Sequence, residues 1–324
     1  MQINSNPDKW SAIVNSFAAS SKAASLWRRA EERLRSDGIH FEIYFTGVSG
    51  NATTLAFNAC RTGCRKLLAV GGDGTIHDVL GGIMAFINQD ASATLEDFTL
   101  AVIPVGSGND WIKTAGVPKD IVEAASLLKN GKISKQDVVK VSLLDSSKLP
   151  EQRVKEISYM ANIAGVGLDA RVCVMVNAAK KQVKRGTIRY LSALIYNIVH
   201  RSSLLAKVIC DGKEIFSGAY LSMAFGIGKY SGGGMRQTPG AVPDDGLLDI
   251  TIIPDLPLMK IAREASKLFD GRFLTVPELV TARSKSILVL PEDNNALVEV
   301  DGEVIGAAPV RFDILEHQLN ILIP

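Results

Sequence analysis

Charge of either sign is scarce in excess: 36 Lys and Arg meet 34 Asp and Glu, for a formal net charge of +2. That balance removes the electrostatic reason to expect a nucleic-acid partner. No stretch gathers 18 or more predominantly apolar residues, so no membrane-spanning helix is predicted. The opening MQINSNPDKW has neither the basic nor the apolar region of a signal peptide. Cysteine is sparse too. Of the four (Cys60, Cys64, Cys173, Cys210), Cys60 and Cys64 share a helix face, but no second pair follows at metal-ligand spacing. They read as buried thiols of a chain kept in a reducing cytosol. Internal repeats and low-complexity segments are absent. What remains is an ordinary folded composition, 47% hydrophobic and 22% charged, with room for about two domains at roughly 150 residues each.

The first 130 residues alternate between strand-like and helical patterns. Strand signals fall at Trp10 to Val14, Ile39 to Phe45, Lys66 to Val70 and Phe98 to Ile103. Between them lie a helix with Ala23, Leu26, Trp27, Ala30 and Leu34 on one face, one near Thr53 to Cys60, and one after Asp73. A further helix follows the last strand and ends at Gly116 and Pro118. Such alternation predicts an α/β domain with a parallel sheet, which binds ligands at the carboxyl ends of its strands. After Gly131 short β segments dominate (137–144, 157–163, 207–210, 219–225, 247–253, 287–290, 320–323), several separated by DG turns at 211–212, 245–246 and 301–302. One long helix is expected from about Ala178 to His200. The second half therefore reads as a β-rich domain with a helical insertion.

Two glycine-rich turns stand at the ligand end of the sheet. In LLAVGGDGTIHDVLGG, Gly71, Gly72 and Gly74 let the backbone approach a phosphate, and the helix that follows adds its positive end. Asp73 at the centre would repel phosphate unless a divalent cation came between. The competing reading is a ligand-free turn in which Thr75 and Asp78 form a T-x-x-D capping box. The second turn, in IPVGSGNDWIKTAGVP, offers Gly106, Gly108, the Ser107 hydroxyl, Asn109 as an N-cap and Asp110 as another carboxylate. Two such loops on neighbouring strands favour a nucleotide.

The order of motifs resembles the diacylglycerol kinase catalytic-domain family, which includes bacterial lipid kinases and the sphingosine and ceramide kinases. GGDGTIHDV is similar to the family's GGDGTxNEV, and the GSGND turn to its GTGND. NIAGVGLDARV, GGGMRQTPGAVPDDGLLDI and VEVDGE follow in family order. GGDGT alone is shared with NAD kinases, whose fold is similar. The family's N-terminal NPxxGxG keeps only Asn15 here, without its proline or glycines, and its NE pair becomes His77-Asp78.

The resemblance implies an ATP- and Mg²⁺-dependent lipid kinase with two domains. Residues 1–132 would bind nucleotide and 133–314 acceptor and metal, with a strand near 315–324 returning to the first. Asn15, Thr46, Gly71 to His77 (Ile76 included), and Gly106 to Asp110 are the implied nucleotide contacts; apart from the resemblance, Arg185 or Arg189 of the basic stretch from 170 to 210 is an alternative contact to the phosphates. Asp245 with the carbonyls of Val242 and Leu247 is the implied metal site; the plain alternative is a solvated DDG turn. Glu303 is the implied proton acceptor, Asp73 its rival, and Asp301 completes the DGE motif. Asp169 is a candidate for holding the acceptor's polar head.

From 170 to 210 the chain carries Arg171, Lys180, Lys181, Lys184, Arg185, Arg189, Arg201 and Lys207 and no acid, while Ile188, Leu191, Leu194, Ile195 and Ile198 share a helical face. A basic amphipathic helix can lie on an anionic membrane; the alternative is a helix packed on the β domain with its basic side in water. Diacylglycerol is the default acceptor. A sphingoid base, ceramide or a soluble acceptor such as NAD, and a non-catalytic nucleotide- or lipid-binding regulator, stay open. So does a homodimer. The expected location is cytoplasmic, peripheral to the membrane, with the reacting groups in a cleft.

Overall fold

A computed structural model of the protein describes residues 9–16, 18, 23–47, 51–106, 108–145, 153–179, 186–201, 203–292 and 296–324. The chain divides into two compact units, Met1–Asp137 with His317–Pro324, and Val138–Glu316. The first contains β1 (Trp10–Val14), α1 (Ala23–Ser36), β2 (Phe41–Phe45), α2 (Ala52–Arg61), β3 (Lys66–Gly71) and α3 (Asp73–Ile87). Then follow β4 (Thr99–Pro104), α4 (Asp110–Ala115), α5 (Ile121–Asn130) and β5 (Lys132–Gln136). The second opens with β6 (Val139–Leu144), β7 (Val154–Met160), β8 (Ile163–Gly167), α6 (Leu168–Ala179) and α7 (Gly186–Val199). It continues through β9 (Leu204–Cys210), β10 (Lys213–Gly226), β11 (Leu248–Pro254), α8 (Leu258–Glu264) and α9 (Lys267–Asp270). Strands β12 (Val280–Ser284), β13 (Ser286–Pro291), β14 (Leu297–Val300), β15 (Glu303–Ala307) and β16 (Val310–Ile314) complete it, and β17 (Leu319–Ile323) ends the chain.

The first unit is an α/β layer. Its six-stranded sheet runs β2-β1-β3-β4-β17-β5, parallel except for β5, which pairs antiparallel with β17. Central β3 reads KLLAVG and is buried from Leu67 onward, because helices cover both sheet faces. Fully burying a side chain such as Leu67 or Leu68 contributes about 1.5–3 kcal/mol. Trp27, Ala30 and Leu34 of α1 are buried, as the helical spacing predicts. Asp120 caps α5 by accepting from Val122 and Glu123 N–H, and Gly116 at φ 72° ends α4.

The second unit is an eleven-stranded antiparallel sheet. Its main path is β15-β14-β8-β10-β9-β13-β16-β6-β7, with β11 pairing both β10 and β12. Its core includes Tyr220, Phe225 and Phe312, the last two stacked at 4.5 Å. The long helix expected from 178 to 200 appears as α7 over Gly186–Val199, with 180–185 outside the described residues, and α6 before it is a helix the pattern did not show. Ala193 and Leu194 pack on Leu168, Val172, Leu221 and Met235, with Ile198 half-buried against them. Ile195 is turned away and is 55% exposed. The side chains of Ile188 and Leu191 lie outside the described residues. Cys60 is buried, with burial pushing its thiol up to about 12; Cys64 is half-buried. Among the described residues, no helix is long and apolar enough to cross a membrane.

Candidate active site

The glycines of the first unit serve close approach between two loops. A Cβ on Gly106 would stand 2.5 Å from Gly72 Cα, and one on Gly72 would stand 3.0 Å from Gly106 Cα. Real side chains do not tolerate the first contact, so the β3–α3 and β4–α4 turns touch backbone to backbone. Asp73 then joins them. Its Oδ2 accepts from Asp110 N–H at 3.1 Å and its Oδ1 from Trp111 N–H at 3.0 Å. The Asp73 carboxylate thus caps α4 from the neighbouring turn, and two amide dipoles meet its charge where the sequence suggested a cation.

That arrangement corrects two further expectations. Asn109 occupies the N-cap position in the left-handed region (φ 51°), but its side chain does not cap α4. Its Oδ1 accepts from Gly106 N–H and its Nδ2 donates to Gly106 O, closing the loop on itself. Thr75 and Asp78 form no capping box, because α3 already begins at Asp73 with Gly72 as N-cap. Thr75 Oγ1 instead accepts from Asn15 Nδ2 at 3.0 Å, and Asp78 accepts from Thr53. Thr46 is buried, and its Oγ1 accepts from Ser16 N–H at 3.3 Å. Asn15, Thr46, Thr75, Asp73 and the 106–110 turn therefore belong to one hydrogen-bonded end of the sheet. His77 is half-buried on the first turns of α3, next to buried Ile76. Asp110 is buried and ion-paired with Lys113 at 2.5 Å.

Carboxyl groups gather in the second unit. Asp301 and Gly302, both at positive φ, make the two-residue turn between β14 and β15. Asp301 accepts from Ala161 N–H (2.8 Å), Asn162 N–H (2.9 Å) and Ile163 N–H (3.2 Å), fixing the bend between β7 and β8. These three bonds hold the Asp301 carboxylate in place. Glu303, half-buried, starts β15 beside Asn177 of α6, whose Nδ2 lies 3.5 Å from its Oε2. Asp169 is buried at the start of α6 and accepts from Ser222 Oγ at 2.5 Å and Gln237 Nε2 at 2.9 Å.

Glu299 completes the cluster and was not foreseen. It pairs in register with Gly165, whose missing Cβ would meet Glu299 Oε1 at 2.8 Å and Asp169 Cβ at 2.7 Å. Its Oε2 accepts from Gly302 N–H at 2.7 Å. Burial pushes the Glu299 carboxyl well above the usual range, and the Asp169 charge adds to the rise against the opposing Gly302 bond.

Comparison with known proteins matches this geometry to a family. The family model of the diacylglycerol kinase catalytic domain matches residues 9–141, and that of the YegS C-terminal NAD kinase beta sandwich-like domain matches 162–323. The chain belongs to this family of kinases. A relative from Stenotrophomonas maltophilia (strain K279a), named "Probable lipid kinase YegS-like", is 26% identical over 317 residues, 98% of this chain and 96% of its own. Another of that name, from Xanthomonas oryzae pv. oryzae (strain MAFF 311018), is 28% identical over 320 residues, 98% and 97% of the two chains. The fold is also that of a diacylglycerol kinase from Bacillus anthracis str. Sterne (TM-score 0.73, 24% identity, 99% and 98% covered). More distantly it is that of an NAD kinase from Archaeoglobus fulgidus solved with ATP (TM-score 0.51, 15% identity, 96% and 92% covered).

One implied feature of the family does not fit the residues present. Asp245 Oδ1 accepts from Leu247 N–H at 3.1 Å, and its Oδ2 is ion-paired with Arg283, which also bonds Asp249 at 3.1 Å. Val242 is 41% exposed. The guanidinium supplies the positive charge that the metal was expected to bring, so no step is assigned to a metal there. Among the described residues no cluster of His, Cys, Asp and Glu suits a metal ion. Ser107 and Arg185 lie outside the described residues, as does the side chain of Arg189.

Proposed function

We propose that the chain transfers the γ-phosphoryl group of ATP to a lipid hydroxyl, with diacylglycerol as acceptor and phosphatidic acid as product. Family membership across both units carries this reading: the catalytic-domain match spans the two glycine turns and the sandwich-like match spans the carboxyl cluster. The ATP in the archaeal NAD kinase of this fold supports the donor. Phosphates would rest on the backbone of the 71–75 and 106–110 turns, and a bound Mg²⁺ would offset phosphate charge. Transfer through a loose transition state needs chiefly positioning and charge neutralisation. The acceptor oxygen bonds to the γ phosphorus, the bond from that phosphorus to the ADP oxygen breaks, and Glu303 takes the hydroxyl proton. Asp169, oriented by Ser222 and Gln237, would hold the acceptor's polar head. A bilayer is the source of the acceptor, since α6 and α7 expose Val174, Met175, Ile195, Tyr196 and Val199 on a stretch rich in Lys and Arg.

The test is incubation with γ-labelled ATP, Mg²⁺ and a panel of diacylglycerol, sphingosine, ceramide and NAD, followed by separation of the products. Label in phosphatidic acid is the expected result. Label in another lipid corrects the acceptor, label in NAD alone overturns the lipid reading, and no label from folded protein favours a non-catalytic regulator.

A further inference from the structure

The glycine triplet at 232–234 has no part in the proposed transfer. Gly232, Gly233 and Gly234 all have positive φ (56°, 87° and 120°), and Ser231 and Met235 bridge across them through reciprocal 2.9 Å backbone bonds. The loop delivers Arg236 into a fixed place. Its N–H donates to Leu268 O at 2.6 Å, and its guanidinium carbon lies 5.3 Å from the centre of the Tyr230 ring. Nη1 is close enough to Gly271 that a Cβ there would approach to 3.0 Å.

Among the described residues Arg236 has no acceptor in this place. Among the described residues its guanidinium meets no carboxylate, and Nε is buried without a hydrogen-bond partner. Nearby Asp270 is paired with Arg272, and Glu264 with Arg263 and Lys267. At the other side of the bridge, the Ser231 hydroxyl is also buried and without a partner. A half-buried guanidinium and a hydroxyl lacking acceptors on one loop call for an anion with several oxygens. The planar fork of arginine suits phosphate. Apolar surface accompanies it: the segment against which Arg236 leans exposes Phe269 (48%) and Leu274 (41%). A soluble phosphate would explain Arg236 and leave those side chains unexplained; a phospholipid accounts for both.

We propose that Arg236 and Ser231 bind the phosphate of an anionic phospholipid headgroup, with Phe269 and Leu274 set in the adjoining acyl layer. The site is separate from the phosphoryl-transfer chemistry and stands or falls without it. The experiment compares the full chain with Arg236→Met and Phe269→Ser by co-sedimentation with phosphatidylcholine vesicles, with and without phosphatidylglycerol. Wild type should prefer the anionic vesicles. Arg236→Met should weaken that binding about fivefold, equivalent to ~1 kcal/mol for one basic residue at such a surface. Phe269→Ser should weaken binding to both vesicle types. Thermal unfolding gives the second readout: Arg236→Met should melt no lower than wild type, because among the described residues the charge it removes has no carboxylate or hydrogen-bond acceptor and its ring contact is kept by the Met side chain. Inorganic phosphate gives the third. If it raises the wild-type melting temperature but not that of Arg236→Met, while the two bind vesicles equally, the anion is soluble and the lipid assignment is overturned. Equal vesicle binding with no such phosphate response overturns the whole site.

Discussion

Each unit ties an aspartate to backbone amides, and the surroundings of the two differ. Asp73 spans two turns on neighbouring parallel strands and meets the first N–H groups of α4. Its neighbour Asp110 is paired with Lys113. Asp301 spans a hairpin turn and a strand bend, and Glu299 two residues before it is pushed well above its usual range by burial and by the charges of Asp169, Asp301 and Glu303. The first unit thus keeps its anions compensated and presents backbone dipoles, as a phosphate site requires. The second buries a carboxyl, Glu299, whose proton affinity rises with its burial and with the charges beside it.

The comparison breaks most severely where the amide ties are cut. Asp301→Ala leaves three N–H groups without acceptors, and an unfolding titration should show a loss of about 3 kcal/mol or more, given ~1–3 kcal/mol for each buried unsatisfied group. Gly106→Ala forces the two turns of the first unit apart and is expected to cost on the order of 2 kcal/mol. Its nucleotide affinity should fall as well, read by isothermal titration with a non-hydrolysable ATP analogue. Stability near that of wild type in either variant would remove the corresponding tie.

Glu299→Gln sharpens the contrast through pH. The unfolded carboxyl ionises near pH 4.3, while the folded one ionises well above it. Its favourable contribution is therefore full below about pH 4.3 and is lost as pH rises through the folded value. The Gln variant should match wild type at pH 4 and melt higher at pH 7–8, by about 2–4 °C for each ~1 kcal/mol in a domain of this size. A constant offset across pH would contradict a raised Glu299 carboxyl.

The smallest effect belongs to Arg283. Its ion pairs are partly exposed, so Arg283→Met should cost less than about 1 kcal/mol. Without nucleotide, Mg²⁺ should leave the wild-type melting temperature unmoved and should stabilise Arg283→Met, whose Asp245 and Asp249 would then lack a cation. A wild-type Mg²⁺ response that disappears in Asp245→Ala would restore the metal.

The sequence shows the parallel strands plainly, because β3 and β4 are buried on both faces and read as unbroken apolar runs. Other elements were hidden. Strand β5, KISKQ, has only one apolar residue and is fixed by pairing with β17 from the far end of the chain. The joint role of Asp73 was illegible because its partners are backbone amides 37 and 38 residues away. Glu299 sits between Val298 and Val300, and simple alternation would place it in water. Helix α6, missed in the pattern, covers that face, so all three residues are buried. The Arg283 partner of Asp245, where a metal was expected, was hidden for a similar reason, since it lies 38 residues further on.

The division of labour between the units is the central claim, and nucleotide titration beside turnover tests it most directly. Asp73→Asn places an amide N–H where a backbone N–H needs an acceptor, so ATP-analogue affinity should drop about tenfold or more, with turnover falling alongside. Glu303→Gln should bind the analogue within about twofold of wild type and lose on the order of 10²–10⁴ in kcat, the range for removing a general base. Nucleotide binding weakened equally by both substitutions, or left normal by Asp73→Asn, would contradict the account.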